Sequence, residues 1–115
     1  MNWLLPTMTK EAFQEHLVLC DRLSEDAGRL AYYTFTPRQA TPSVRPQPGE
    51  HLFVRVGRDV VGWHSIISCC RAFEGDGRKC TGWQVRFLPT FHELDAYQPA
   101  PTFTTFGQYH TEDPT

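Results

Sequence analysis

Three histidines and three cysteines are the first candidates for metal or thiol chemistry. They are His51, His64, His92, Cys69, Cys70 and Cys80. A zinc site usually takes its ligands as close pairs, CxxC or HxxxH, because each pair comes from one turn or one helix face. Neither spacing occurs among these residues, so we expect no metal ligands and no cofactor.

A cysteine nucleophile needs a histidine base and a third group that orients the base. Cys80 with His64 or His92 would supply the first two, but no motif places these residues together. The P-loop, the GxGxxG turn and the GxSxG elbow are absent from the sequence. We therefore expect a protein that is not an enzyme, with a small metal- or thiol-dependent enzyme as an open alternative.

A binding surface would form if the central strands pair as hairpins. Its residues would be Phe53, Arg55, Trp63, Arg71, Gln84 and Arg86. With a tight turn around Arg58, Phe53 faces Trp63 and all six share one sheet face. Aromatic residues and arginine are enriched in protein interfaces, which predicts a protein partner.

Two alternatives for this face stay open. Phe53 and Trp63 could stack the bases of a single-stranded nucleic acid, with the arginines on its phosphates. The aromatic residues beyond position 90 could also cover the face. All these interpretations of the face depend on the strand register, because a slip of one residue moves a strand's side chains to the opposite face of the sheet.

Helical periodicity is clearest over residues 9–24, where Thr9 is a suitable N-cap. The apolar positions of this helix are Phe13, Leu17, Cys20 and Leu23. Residues 29–36 are rich in aromatic and β-branched side chains and predict a strand. Four prolines within residues 37–49 predict an extended internal loop.

The segment from 50 to 88 predicts three antiparallel strands joined by two hairpins. Residues 51–56 and 80–88 alternate in polarity, and an apolar run at 60–73 lies between two turns. Residues 63–73 also fit helical spacing, so a helix there stays open. The strand assignment places one core face under the helix, formed by Leu52, Val54, Val56, Val60, Ile66, Cys70, Val85 and Phe87.

The expected fold is α+β: an N-terminal helix packed on a mostly antiparallel sheet of about four strands. Residues 1–110 form one domain, the aromatic segment after residue 89 is irregular, and residues 111–115 are frayed. Residues 51–90 carry six basic and three acidic side chains, and residues 91–115 carry four acidic ones and no basic one. This asymmetry favours a C-terminal segment that folds over the basic sheet.

The composition is that of one small globular domain. A chain of 115 residues that is 40% hydrophobic excludes a wholly disordered protein, and no apolar run reaches the length of a membrane span. Residues 1–6 lack the basic segment of a signal peptide, so we expect a reducing cytoplasm and free cysteines.

The expected function is non-enzymatic binding of another protein. Small motif-free domains of this kind are often accessory proteins of phages or mobile elements that inhibit or adapt a host complex. Self-association through an uncovered strand edge is a further open alternative.

Overall fold

The computed structural model describes residues 1–25, 31–35, 45–74, 79–103 and 105–109. Its elements are β1 (Asn2–Leu4), α1 (Lys10–Glu25), β2 (Ala31–Phe35), β3 (His51–Val56), β4 (Asp59–Glu74), β5 (Lys79–Phe87), β6 (His92–Pro99) and β7 (Gly107–Tyr109). The strands follow the order β2-β5-β4-β3-β1-β7, and β6 pairs with β4. Because β1 and β3 are parallel and the other pairs antiparallel, the sheet is mixed.

The α+β prediction with about four strands is wrong, because a mixed seven-stranded sheet dominates the described residues. The C-terminal segment expected to be irregular contributes β6 and β7. Strand β6 shows no apolar alternation because nearly all its side chains are exposed. The three central strands are confirmed, and the alternative of a helix at 63–73 is wrong.

Parts of the predicted chain organisation lie outside the described residues. Of the proline-rich loop, only residues 45–49 are described. Residues 111–115, expected to be frayed, are outside altogether. Helix α1, the helix in the described ranges, is too short and too polar to cross a membrane.

Strands β5 and β6 run one after the other along the same edge of β4. The β5 ladder ends where Phe87 pairs with Ile66, and the β6 ladder starts where His92 pairs with Trp63. Residues 88–91 between them belong to neither strand. This break divides the long hairpin into a part beside β2 and a part beside β3.

The larger core cluster lies under α1 and includes Trp3, Leu52, Val54, Ile66, Val85, Phe87 and Phe106. Phe13 and Leu23 of α1 pack against it. The ring of Phe106 stacks on Trp3 at 5.6 Å and on Tyr33 at 5.7 Å between centroids. Since Tyr33 lies in β2, this stack joins the two ends of the strand order.

Two irregularities in β4 alter the predicted core face. The pairing shifts between Val54 and Arg55, so Val61, not Val60, joins the larger cluster. Val60 belongs to a second cluster with Leu4, Phe53 and Tyr109. The second shift, between Ile66 and Ser68, places Cys69 against the core and leaves Cys70 exposed.

Arg55 holds the segment between β6 and β7 in place. Its side chain is only 1% exposed. Its Nε donates to the carbonyl of Leu5 at 2.9 Å, Nη2 donates to that of Thr105 at 3.0 Å, and Nη1 donates to that of Phe103. A single guanidinium therefore satisfies carbonyls of two chain segments that lie about 50 residues away in sequence.

We expect Arg55→Met to lower the free energy of unfolding by about 3 kcal/mol, because the buried carbonyls lose their donor. Urea unfolding measures the change. Arg58→Met is the matched control, because Arg58 is exposed, and its effect should stay within about 0.5 kcal/mol. Equal stability of the two variants would contradict the role given to Arg55.

Candidate metal centre

Helix α1 and strand β4 bring two histidines and a cysteine together. His16 and Cys20 are four residues apart on α1 and therefore lie on the same helix face. The Nε2 atoms of His16 and His64 are 2.9 Å apart, and the Sγ atom of Cys20 is 3.7 Å from Nε2 of His16. The three potential ligand atoms all lie within 4.8 Å of one another.

The N-terminal turn of α1 fixes the direction of this face. Thr9 accepts the N–H of Ala12 on its Oγ1 at 3.1 Å, which confirms the predicted N-cap. One turn later, Phe13 meets the ring of Phe91 edge-on at 5.5 Å between centroids. His16 follows at i+3 from Phe13, so the same packing directs its ring towards β4.

The break between β5 and β6 fixes the orientation of His64. Its Nδ1 lies 2.9 Å from the carbonyl oxygens of both Leu88 and Thr90. Since a carbonyl only accepts, Nδ1 carries the hydrogen. In the neutral ring, Nε2 then carries a lone pair, and this lone pair faces His16.

Burial keeps all three groups uncharged at neutral pH. Burial lowers the pKa of His64 to about 4, and the nearby His16 contributes to the shift. Burial also lowers the pKa of His16. The thiol of Cys20 has its pKa raised to about 11, first by burial and then by the charge of Asp21. In this state His16 donates its Nε2–H to Nε2 of His64.

Aromatic rings enclose the cluster. The ring of Phe87 lies 4.7 Å from that of His64, and the ring of Phe91 lies 5.4 Å from it, between centroids. A Cβ at Gly62 would overlap the ring of Phe91 and lie 2.5 Å from the carbonyl oxygen of His92. Glycine is therefore needed for Phe91 to close over the site. Cys20 and His64 are buried, whereas His16 is half-buried, so the cluster reaches solvent on the side of His16.

Three residues of the predicted binding surface, Phe53, Arg55 and Trp63, are largely covered. Phe53 pairs with Trp63 as predicted, but Phe53 and Arg55 are each 1% exposed. Trp63 is half-buried, with its ring stacked between those of His51 and His92 at 4.1 Å on each side. Phe53 is therefore not available to stack a base in this structure.

The other three residues lie on two faces. Arg71 pairs with Trp83 and lies over its ring at 5.6 Å from the centroid. Gln84 and Arg86 alternate with Trp83 and so project from the opposite face. Phe73 pairs with Cys80, but the register shift between Ala72 and Phe73 then places Arg71 opposite Trp83 and so on the other face from this pair. The six predicted residues do not form one surface.

His16 and Cys20 are not among the site residues predicted from the sequence. The available signal was an HxxxC spacing on a predicted helix, which presents two ligands on one face as HxxxH does. The open alternative that pairs Cys80 with His64 or His92 is not tested, because the side chain of Cys80 is outside the described residues. No protein-family model, curated protein or solved structure matches this chain.

The lowered pKa of His64 predicts a fold that is sensitive to acid. The unfolded chain takes up a proton near pH 6.5, whereas the folded ring stays neutral down to about pH 4. Stability is therefore fully present above pH 6.5 and falls as the pH drops towards 4, by about 3 kcal/mol for a shift of this size.

Urea unfolding of chelator-treated protein across this pH range measures the fall in stability. In His64→Gln we expect a much shallower pH dependence. His92→Gln changes an exposed histidine whose charge has the smallest influence on the pKa of His64, so it should move the profile much less than His64→Gln does. Identical profiles for wild type and His64→Gln would show that His64 is not the titrating group.

Proposed function

We propose that the protein binds a zinc ion between α1 and β4, through Nε2 of His16, Sγ of Cys20 and Nε2 of His64. The observation that carries the proposal is the convergence of these three atoms within 4.8 Å in a buried site. Imidazole nitrogen and thiolate sulfur are preferred zinc ligands.

The surroundings of His64 are those of a metal ligand. A ligating histidine usually donates its second ring N–H to a carbonyl or carboxylate, which fixes the ring and raises its basicity. Leu88 and Thr90 accept from His64 in this way. The lone pair of Nε2 therefore points into the cluster before any ion binds.

The distances require only a small adjustment. Tetrahedral zinc with Zn–N bonds of about 2.0–2.1 Å separates two nitrogens by about 3.3 Å, compared with 2.9 Å between the Nε2 atoms here. Rotation of the half-buried His16 ring would open this gap. None of the described side chains takes the fourth position, so water or a small ligand would complete the coordination from the His16 side.

Zinc binding would move one proton within His16 and release another from Cys20. The hydrogen on Nε2 of His16 moves to Nδ1 of the same ring, and the thiol of Cys20 gives up its proton to solvent. One proton is therefore released per ion at neutral pH. The ion would join residues 48 positions apart in the sequence and clamp α1 to the sheet. We place the protein in the reducing cytoplasm, where this thiol stays available.

Calorimetric titration of chelator-treated protein with Zn²⁺ tests the proposal. We expect one ion per chain, one proton released per ion, and stabilisation of about 2.7 kcal/mol at free zinc a hundredfold above Kd. The proton count comes from repeating the titration in buffers with different ionisation enthalpies. Cu²⁺ is the main competitor for this ligand set, and titrations with each ion rank the two.

Cys20→Ser should weaken zinc binding by more than about 100-fold, since loss of a group that only hydrogen-bonds to a ligand already costs about 10–100-fold. Cys70→Ser is the matched control because Cys70 is exposed and outside the cluster, and it should bind as wild type does. Equal affinity of both variants, or binding without stabilisation, would contradict a site at α1 and β4.

Protein binding is the second candidate function, and one exposed face favours it. Across β2, β5 and β4, Tyr32 stands beside Arg86 and Thr34 stands beside Gln84. Tyr32 is 64% exposed, and Arg86 donates from Nε to Oε1 of Gln84 at 3.1 Å. Tyrosine and arginine are frequent anchors of protein interfaces.

Tyr32→Ala is expected to abolish capture of a protein partner from nuclease-treated host lysate without changing the melting temperature, because the side chain has little to pack against. Tyr97→Ala is the matched control, as Tyr97 is 51% exposed and lies on β6. Capture of the same proteins by both variants would exclude this face as the interface.

A further inference from the structure

A cavity of about 420 Å³ lies where the turn between β3 and β4 meets the segment that follows β6. Thr7, Gly57 and residues 99–102 line it, together with two arginines, Arg55 and Arg58. None of the proposed zinc ligands contributes to its walls. The cavity is therefore a separate site.

Arg55 brings a buried charge to this cavity without a counter-charge. Its three hydrogen bonds go to carbonyl oxygens, and no carboxylate of the described ranges forms an ion pair with it. A guanidinium has five N–H donors, so two remain. The ring of Phe103, with its centroid 5.1 Å from Cζ of Arg55, is the other group that faces this charge. Carbonyl dipoles and a ring face carry no full negative charge, so an anion that approaches Arg55 lowers its free energy further.

Arg58 adds a second positive charge at the exposed side. Its carbonyl oxygen accepts the N–H of Ala100 at 2.8 Å, which fixes the turn against the segment after β6. Among the described residues, those that line the cavity include no carboxylate. The nearest acidic neighbour in sequence, Asp59, lines a different cavity.

The remaining walls are largely apolar. Pro99, Ala100 and Pro101 form one side of the cavity, and prolines offer a rigid surface without an N–H donor. An anion that fits these walls has a charged end for the arginines and an apolar body for the prolines. A planar carboxylate also matches the fork of a guanidinium better than a point charge does.

We propose that this cavity binds a small organic carboxylate, with the carboxylate between Arg55 and Arg58 and the apolar body against Pro99–Pro101. Benzoate is the probe, and its neutral isostere benzamide is the control for charge. Inorganic phosphate is the control for an anion without an apolar body. Calorimetry measures one-to-one binding of each.

The expected result is that benzoate binds, that benzamide and phosphate bind at least about threefold more weakly, and that Arg58→Gln weakens benzoate by at least about threefold. Arg58 is exposed, so this variant keeps the fold. Arg22→Gln, an exposed arginine of α1, should leave the affinity unchanged. Cys20→Ser should also leave it unchanged, which separates this site from the open zinc position.

Four results would overturn the proposal. The first is no binding of benzoate, and the second is equal affinity of benzoate for the Arg58→Gln and Arg22→Gln proteins. The third is phosphate or benzamide binding as tightly as benzoate, because either would remove one of the two features that define the ligand. Loss of benzoate binding in Cys20→Ser would instead assign the carboxylate to a bound ion and likewise refute the cavity.

Discussion

Both the fold and the proposed site depend on the hydrogen bonds from Nδ1 of His64 to the carbonyls of Leu88 and Thr90, which lie between β5 and β6. The ladder along β4 stops at Phe87 and resumes at His92, so two carbonyls in between lose their place in a sheet. A buried carbonyl without a donor is costly. His64 supplies the donor from Nδ1, and its other nitrogen is thereby presented to helix α1.

The same principle operates at Arg55, where one side chain again satisfies carbonyls of a segment outside the regular ladders. Both residues are polar, both are buried, and each connects a segment outside the regular ladders to the sheet. At His64 the group that remains is a ring nitrogen with a lone pair suited to a metal. At Arg55 it is a pair of N–H groups suited to an anion. Each proposed site follows from the chemistry left over after the backbone is satisfied.

The sequence predicts those elements whose apolar side chains repeat regularly. Helix α1, its Thr9 cap and the facing of Phe53 with Trp63 follow from spacing and turn residues. Strand β6 does not, since nearly all the side chains of its residues HELDAYQP are exposed and show no apolar alternation. The irregularities next to Arg55 and Ala72 are equally invisible, because one extra residue reverses a face without changing the composition.

Only part of the candidate metal site could be predicted from the sequence. The spacing of His16 and Cys20 is local and could be read from a helix, but the approach of His64 depends on the tertiary packing of α1 against β4. The predicted binding surface is wrong for a related reason. The alternation of β3 predicts an exposed Arg55, and only the fold shows the carbonyls that accept its hydrogen bonds in the interior.

X-ray absorption at the zinc edge of the loaded protein identifies the atoms bound to the ion. The proposed site predicts one sulfur at about 2.3 Å and two imidazole nitrogens at about 2.0–2.1 Å from the zinc, and loss of the sulfur contribution in Cys20→Ser. A shell of oxygen and nitrogen alone in the wild-type protein, or a sulfur contribution that persists in Cys20→Ser, would contradict it.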